Sequence, residues 1–249
     1  MDVTPVLQVE KLCKSFEGSF WEKRKQVLFD VSFKVFPARA TGFVGNNGSG
    51  KTTSLKSILE FIRRDSGEIK FFGEALSLKT KSRIGYLPER PYLYEFMTPM
   101  EFLNLHWRLC LPDVHGEFVV RAQEVLKQVN LFDSRNRRLR QFSKGMLQRI
   151  GLAQAILNRP DFLILDEPMS GLDPDGRIMV KDILKDELER GATIFFSSHL
   201  LQDMEELCRD LVVINDGKIL YNGPLTQFMQ SASSLELAFK QAKIKGTER

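Results

Sequence analysis

The chain has no run of about 18 apolar residues, so nothing in it reads as a membrane span. Its start, MDVTPVLQVEKLCK, lacks a basic stretch followed by an apolar core and does not read as a secretion signal. Cysteine is scarce. Cys13, Cys110 and Cys208 lie far apart and match no metal spacing. An odd, unpaired set points to a reducing compartment, and small buried thiols are the simplest expectation for it. An excess of one charge is also missing. Lys and Arg number 36 against 32 Asp and Glu, and a net +4 is too small to argue for nucleic acid. It does suit work beside an anionic membrane face. Sustained heptads and internal repeats are absent. These absences together leave a cytosolic protein as the expectation. What is present is ordinary for a folded protein: 249 residues, 43% hydrophobic and 27% charged, enough for one large α/β domain or two modest ones.

Periodicity then divides the chain. VLQVEKLCKSF and FDVSFKVF alternate as half-buried strands, expected to pair antiparallel at the edge of the domain. ATGFVG is a short apolar strand running into a glycine loop. KTTSLKSILEFI has helical spacing at Leu55, Ile58, Leu59 and Ile62, and DSGEIKFFGEAL reads as a turn followed by a strand. From about 95 to 160 the pattern turns helical. Thr98, Pro99 and Glu101 form a capping box with proline at the first helical position. GEFVVRAQEVLKQVNL and QRIGLAQAILN follow as amphipathic helices. The α/β pattern resumes with DFLILDE, a continuous apolar run suited to a parallel strand buried on both faces. A helix closed by Gly191 comes next, then the buried strand ATIFFSSH, the helix LLQDMEELCRD and a hairpin turning at Asp216-Gly217. The last stretch, QSASSLELAFKQAKIKGTER, reads as a short helix with a frayed basic end. The expected fold is therefore α/β, with a mostly parallel sheet, an N-terminal antiparallel part and an inserted helical subdomain.

Two stretches carry chemistry. GNNGSGKT, Gly45 to Thr52, fits G-x-x-x-x-G-K-[ST] with a strand before it and a helix after it. In such a loop Gly45, Gly48 and Gly50 let the backbone turn its N–H groups around phosphate oxygens. Asn46, Asn47, Ser49 and Thr53 belong to the same turn. Lys51 supplies a point charge to the outer phosphates, and Thr52 offers a hydroxyl to Mg²⁺. In FLILDEP, Asp166 ends a buried strand, where a metal ion would answer its charge. Glu167 follows and is the candidate base that polarises the attacking water. No Asn-Lys-x-Asp segment occurs, which argues against a GTPase.

GNNGSGKTT, FSKGMLQR, FLILDEPMSGLD and FFSSH, in this order and at these spacings, resemble the ATP-binding subunit of an ABC transporter from about residue 5 to 225. The resemblance implies a P-loop NTPase core with a helical subdomain at about 95–160, followed by a short helical tail over 226–249. It makes Phe142-Ser143-Lys144-Gly145-Met146 the family's signature motif, usually LSGGQ, with Lys144 and Met146 departing from the common form. Ser143, Lys144 and Gly145 would then meet phosphate. The SKGM form and the tail resemble an export-type branch. Phe16 resembles the aromatic that stacks on adenine, with Trp21 as a rival. Glu89 stands where a glutamine usually meets Mg²⁺ and water. Ser170 to Asp173 resembles the loop joining two sites of a dimer, and His199 the histidine that contacts the γ-phosphate.

The implied activity is ATP hydrolysis with Mg²⁺, driving transport through a separate polytopic membrane permease. A second ATP-binding subunit, identical to the first, would pair with it head to tail, and ATP would bridge the two. No nucleic-acid partner is implied. The protein would sit on the inner face of the cell membrane through its permease. Tyr92 and Tyr94 are the expected docking residues, whereas Phe102 and Trp107 suit the helical core. The alternative is a soluble ATPase of the same type acting on nucleic acid or ribosomes. Such proteins usually carry a long coiled coil or two ATPase units in one chain.

Overall fold

The computed structural model describes residues 3–17, 24–110, 117–230 and 232–247. In chain order the elements are β1 (Leu7–Phe16), β2 (Lys25–Val35), β3 (Ala40–Val44), α1 (Lys51–Ile58), β4 (Ser66–Phe71), α2 (Leu78–Lys81), β5 (Ile84–Leu87), α3 (Pro99–Cys110), α4 (Phe118–Gln128), α5 (Lys144–Ile156), β6 (Phe162–Asp166), α6 (Pro174–Glu189), β7 (Thr193–Ser197), α7 (Leu201–Leu207), β8 (Asp210–Asn215), β9 (Lys218–Pro224), α8 (Leu225–Met229) and α9 (Leu235–Thr247). They form two compact units. One holds residues 1–76 and 195–249, the other residues 77–194.

In the first unit, β1 pairs antiparallel with both β2 and β4. Leu7 and Val9 point inward at the strand period of two, and a bulge with Lys11 at φ 47° shifts the phase so that Leu12 is the next buried residue. A second set of strands starts from β3, whose five residues are all buried. β3 lies parallel to β8, with Thr41 opposite Asp210 and Val44 opposite Val213. β8 turns back antiparallel into β9 through Asp216 and Gly217, both at positive φ, the geometry of the favoured hairpin turn. Phe33, Phe43 and Phe195 meet with ring centroids 5.2–5.8 Å apart and fill this core. Helix α1 is shorter than its apolar spacing suggests. Glu60 takes a left-handed φ of 60°, and the chain leaves the helix before Ile62.

The second unit pairs β5 parallel to β6, from Ile84 opposite Phe162 to Leu87 opposite Leu165. β6 is buried along its whole length, as its unbroken apolar run implies. Helices α3, α4 and α5 pack on one another. Their core holds Phe102, Leu103 and Trp107 with Val125, Leu126 and Ile150. The capping box at α3 is formed: Thr98 N–H donates to Glu101 Oε2 at 2.8 Å, and Glu101 N–H donates to Thr98 Oγ1 at 3.3 Å. Helix α6 begins at Pro174 behind an Asp173 cap, earlier than periodicity alone marks it. Of the three free cysteines only Cys208 is buried. Cys13 and Cys110 are half-buried, Cys13 within β1 and Cys110 at the last residue of α3. Trp21 lies outside the described residues.

In both units, candidate residues stand just past the carboxyl ends of strands: the glycine loop after β3, His199 after β7, Glu89 after β5, and Asp166 with Glu167 at β6. Ligands of open α/β sheets bind outside those ends.

Candidate phosphate and acid sites

In the first unit the glycine loop forms a narrow backbone cradle. Gly50 caps α1 with φ 106°, and Gly48 has φ 79°. A Cβ on Gly50 would come within 2.8 Å of Leu28, so the chain there is pressed against β2. A Cβ on Gly48 would meet nothing within 4 Å, so the loop is open on that side. Ser49 is buried, and its N–H donates to the Asn46 carbonyl at 3.1 Å. Lys51 is only 7% exposed. Its ammonium donates to the carbonyls of Gly45 at 2.7 Å and Asn46 at 3.2 Å, which holds it inside its own loop. Thr52 and Thr53 follow on the first turn of α1, both half-buried. The start of a helix behind a glycine loop is a place where backbone N–H groups can meet an anion.

His199 shares that surroundings. It is exposed, two residues past β7, and lines a cavity of about 750 Å³ together with Asn46, Asn47 and Ser198. Phe16 ends β1 with 42% of its surface exposed, and the Lys14 ammonium stands 5.0 Å from its ring centre.

In the second unit Ser143 caps α5, and its hydroxyl accepts from Met146 N–H at 3.3 Å. Ser143 and Lys144 are exposed and Gly145 half-buried, so the first turn of α5 presents its free N–H groups outward. The departure at Lys144 has a local counterpart. Its side-chain stem runs over Gly171, where a Cβ would stand 3.0 Å from Lys144 Cε. Gly171 has φ 73°, so both space and backbone geometry ask for glycine in the Ser170–Asp173 loop. Asp173 uses its carboxylate to cap α6, accepting from Gly176 N–H at 2.9 Å.

Asp166 is 1% exposed at the end of β6. Tyr86, on the neighbouring strand, is held as a neutral phenol: burial pushes its pKa up, and the charge of Asp166 adds to that. Glu167 adopts a left-handed φ of 53°, a conformation that costs a residue with a Cβ about 1–3 kcal/mol. Glu89 is exposed beyond β5, and Tyr92 and Tyr94 past it are 87% and 52% exposed.

One residue escaped sequence reasoning as a site residue. Gln148 is 5% exposed on α5, and its amide donates to the carbonyls of Glu167 at 3.3 Å and Pro168 at 3.4 Å. It ties the signature helix to the strained turn at Glu167. The signal was a polar residue one turn after Lys144, on the face that Leu152 and Ala155 bury.

Comparison with known proteins agrees with this geometry. Residues 28–170, more than half of the chain, match the family model described as ABC transporter. An uncharacterized ABC transporter ATP-binding protein of Synechocystis sp. is 37% identical over 94% of this chain and 67% of its own length. The linearmycin resistance ATP-binding protein LnrL of Bacillus subtilis is 32% identical over 89% of this chain and 70% of its own length. The solved structure of an ATP-binding subunit of an ABC transporter superposes with a TM-score of 0.84 at 28% identity, covering 96% of this chain and 99% of that one. The fold is accordingly the α/β P-loop type, with a mostly parallel sheet, an antiparallel N-terminal sheet and a helical insertion. The chain belongs to the ABC transporter family, as an ATP-binding subunit with the ATPase activity that the family implies.

Proposed function

We propose that the chain is the motor subunit of an exporter. It binds and hydrolyses ATP, two identical copies pair head to tail, and a separate polytopic permease carries the substrate outward. The observation that carries this reading is the exposed, serine-capped start of α5. It is an anion site in a unit that holds no phosphate loop of its own. A triphosphate held by one copy could be met there by the other. No nucleic-acid partner is needed, and relatives named as transporter subunits do not favour the ribosomal alternative.

In this reading the loop from Gly45 to Thr53 holds the triphosphate, Phe16 stacks on the base, and Ser143, Lys144 and Gly145 meet the phosphate of the opposite copy. Among the described residues no group of three or more His, Cys, Asp or Glu could hold a metal alone. Mg²⁺ asks for less. It is usually held by substrate phosphates, waters and one or two oxygen ligands, and Thr52, Asp166 and Glu89 supply that class of donor. Mg²⁺ would neutralise charge on the phosphates when bound. Glu167 takes a proton from the attacking water, and its strained backbone, braced by Gln148, fixes where its carboxylate can reach. His199 contacts the γ-phosphate.

Among the described residues no helix is long and apolar enough to cross a membrane. Attachment to the inner face of the membrane would come through the permease, and exposed Tyr92 and Tyr94 are the docking residues. The tail and the SKGM signature support outward transport. The relative named for linearmycin resistance fits, since outward transport of a toxic compound gives resistance.

The test is a mixture of two broken proteins. Lys51→Ala damages the phosphate loop, and Ser143→Arg blocks the start of α5 by bulk. Each homodimer then carries two damaged sites and is nearly inactive. If Ser143 serves the opposite copy, one composite site in a mixed dimer collects both lesions and the other is intact, so ATP-dependent pairing and some hydrolysis return. If mixed dimers, shown by cross-linking, recover neither, the head-to-tail arrangement is wrong.

A further inference from the structure

Helix α9 closes one side of the cavity that His199 and the phosphate loop line. Ser234, Glu236, Phe239 and Lys240 form that wall, opposite Asn46, Asn47 and His199. The helix is seated, not loosely appended. Leu235, Ala238 and Phe239, at i, i+3 and i+4, are 0%, 5% and 8% exposed and make one buried stripe. That stripe packs against α7 and α8. The amphipathic spacing alone would give such a stripe to any tail helix. The further feature is at its first turn.

The N–H of Leu235 donates to the Oε1 of Glu205, a carboxylate on α7. Ser234 also accepts there, from Leu237 N–H at 3.4 Å and, through its carbonyl, from Ala238 N–H at 3.1 Å. An anion at the start of a helix answers both an unsatisfied N–H group and the positive end of the dipole. Helix α7 is itself tightly held on its other side. Met204 is fully buried, and a Cβ placed on Gly42 of β3 would come within 2.6 Å of its sulfur. α7 thus sits between β3 and α9 with no slack toward β3. It starts only two residues after His199, and the short link between them is fixed by Leu200 N–H donating to Ser198 Oγ at 3.0 Å.

We propose that Glu205 is a positioning residue for His199. It latches the tail helix α9 onto α7, and the latched α7 sets where the His199 imidazole stands in the cavity. This rests on the proposed role of His199 at the γ-phosphate. The carboxylate also borders the cavity, but its bond is to the N–H of Leu235. It acts through the start of α9 and the seat of α7.

The test is a double-mutant cycle on the purified protein, read as kcat and as KM for ATP. Glu205→Ala is expected to lower kcat roughly 5- to 10-fold, less than the full worth of one charge-assisted hydrogen bond because the loss reaches His199 only through α7, with KM within about twofold. Glu205→Gln keeps an oxygen acceptor for Leu235 N–H and should recover most of the loss, which also guards against a misfolded alanine variant. In a His199→Ala background the Glu205→Ala change should cost less than about twofold, because the latch then has nothing to position. Independently of turnover, the His199 ring resonance, assigned by its loss in His199→Ala, should shift in Glu205→Ala. Wild-type kcat in Glu205→Ala, additive losses in the double variant, or an unmoved His199 resonance would each overturn the latch while leaving the motor reading intact. Wild-type kcat in His199→Ala would remove the role of His199 itself, and the latch with it.

Discussion

The two units offer different chemistry past the ends of their strands. Residues 1–76 and 195–249 hold a backbone loop with Gly48 and Gly50 at positive φ, and a lysine tucked against two carbonyls of the same loop. Residues 77–194 use side chains and a helix start: buried Asp166, strained Glu167, and Ser143 capping α5. A backbone cradle recognises a triphosphate by shape and cannot donate or take a proton at neutral pH. A carboxylate at a strand end can take one. In the proposed reading the loop governs binding, and the carboxylates, with His199 of the first unit, govern turnover, so lesions in the loop and at the carboxylates should separate in their kinetics.

The largest expected effect breaks turnover alone. Glu167→Gln keeps the shape of the side chain and loses the base, so kcat should fall about 10²- to 10⁴-fold while affinity for ATP is kept. Single-turnover hydrolysis and nucleotide titration on one preparation would check this. Near-normal turnover would remove Glu167 from the role of base.

The converse lesion lies in the first unit. Lys51→Ala removes the ammonium that anchors the loop and that, in the proposed reading, meets the outer phosphates. A charged hydrogen bond contributes about 1.5–3 kcal/mol, so ATP affinity should weaken by roughly 10- to 100-fold. Titration with a fluorescent ATP analogue would report it. If Lys51→Ala lowered kcat but left affinity untouched, the split between a binding loop and the turnover carboxylates would fail.

Legibility follows the same split. The phosphate loop occupies eight consecutive residues between a buried strand and a helix, so local sequence contains nearly all of its geometry. The acid side is scattered over 86–92, 143–148 and 166–173, and only resemblance to a family joined those stretches in advance. Two features stayed hidden. The positive φ of Glu167 has no local signature, because nothing in its type asks for a left-handed backbone. The partners of Gln148 are carbonyls nineteen and twenty residues away, and a hydrogen bond to a carbonyl leaves no trace in residue type. The end of α1 at Glu60 and the early start of α6 behind Asp173 were blurred for a simpler reason. Apolar spacing marks which face is buried, and caps decide where the helix stops.

Gln148 gives an intermediate effect that sharpens the comparison. Gln148→Leu fills a similar volume and withdraws a donor from the carbonyls of Glu167 and Pro168. Leaving a buried acceptor short of a donor costs about 1–3 kcal/mol. The melting temperature should fall, and kcat should drop by roughly 10-fold as the turn at Glu167 loses its brace, with ATP affinity unchanged. Loss of affinity in step with kcat would mean that Gln148 supports the whole fold and not the acid site.

The smallest expected effect lies at the cap of α3, in the second unit. Thr98→Ala removes the hydroxyl that accepts from Glu101 N–H, which for a helix cap costs about 1 kcal/mol of stability. Glu101 adds a pH dependence. Its carboxylate accepts the Thr98 N–H, and with Arg138 beside it at 3.0 Å its pKa is held below the ordinary 4.5. A group whose pKa is lower in the folded state stabilises the fold above its unfolded value and ceases to do so as pH falls through the folded one. The advantage of the wild type over Glu101→Gln should therefore be complete at neutral pH and shrink as pH drops below about 4.5. Thermal denaturation of both proteins across that range would follow it. Glu101 is solvent-exposed and its pair with Arg138 is open to salt, so that part of the advantage should fade with added salt while the bond to Thr98 N–H persists. Turnover and ATP affinity measured at neutral pH should be the same in Thr98→Ala as in the wild type. If they were not, the helical part of the second unit would be coupled to the chemistry through more than α5, and the assignment of turnover to Asp166, Glu167 and the start of α5 would have to be widened to α3.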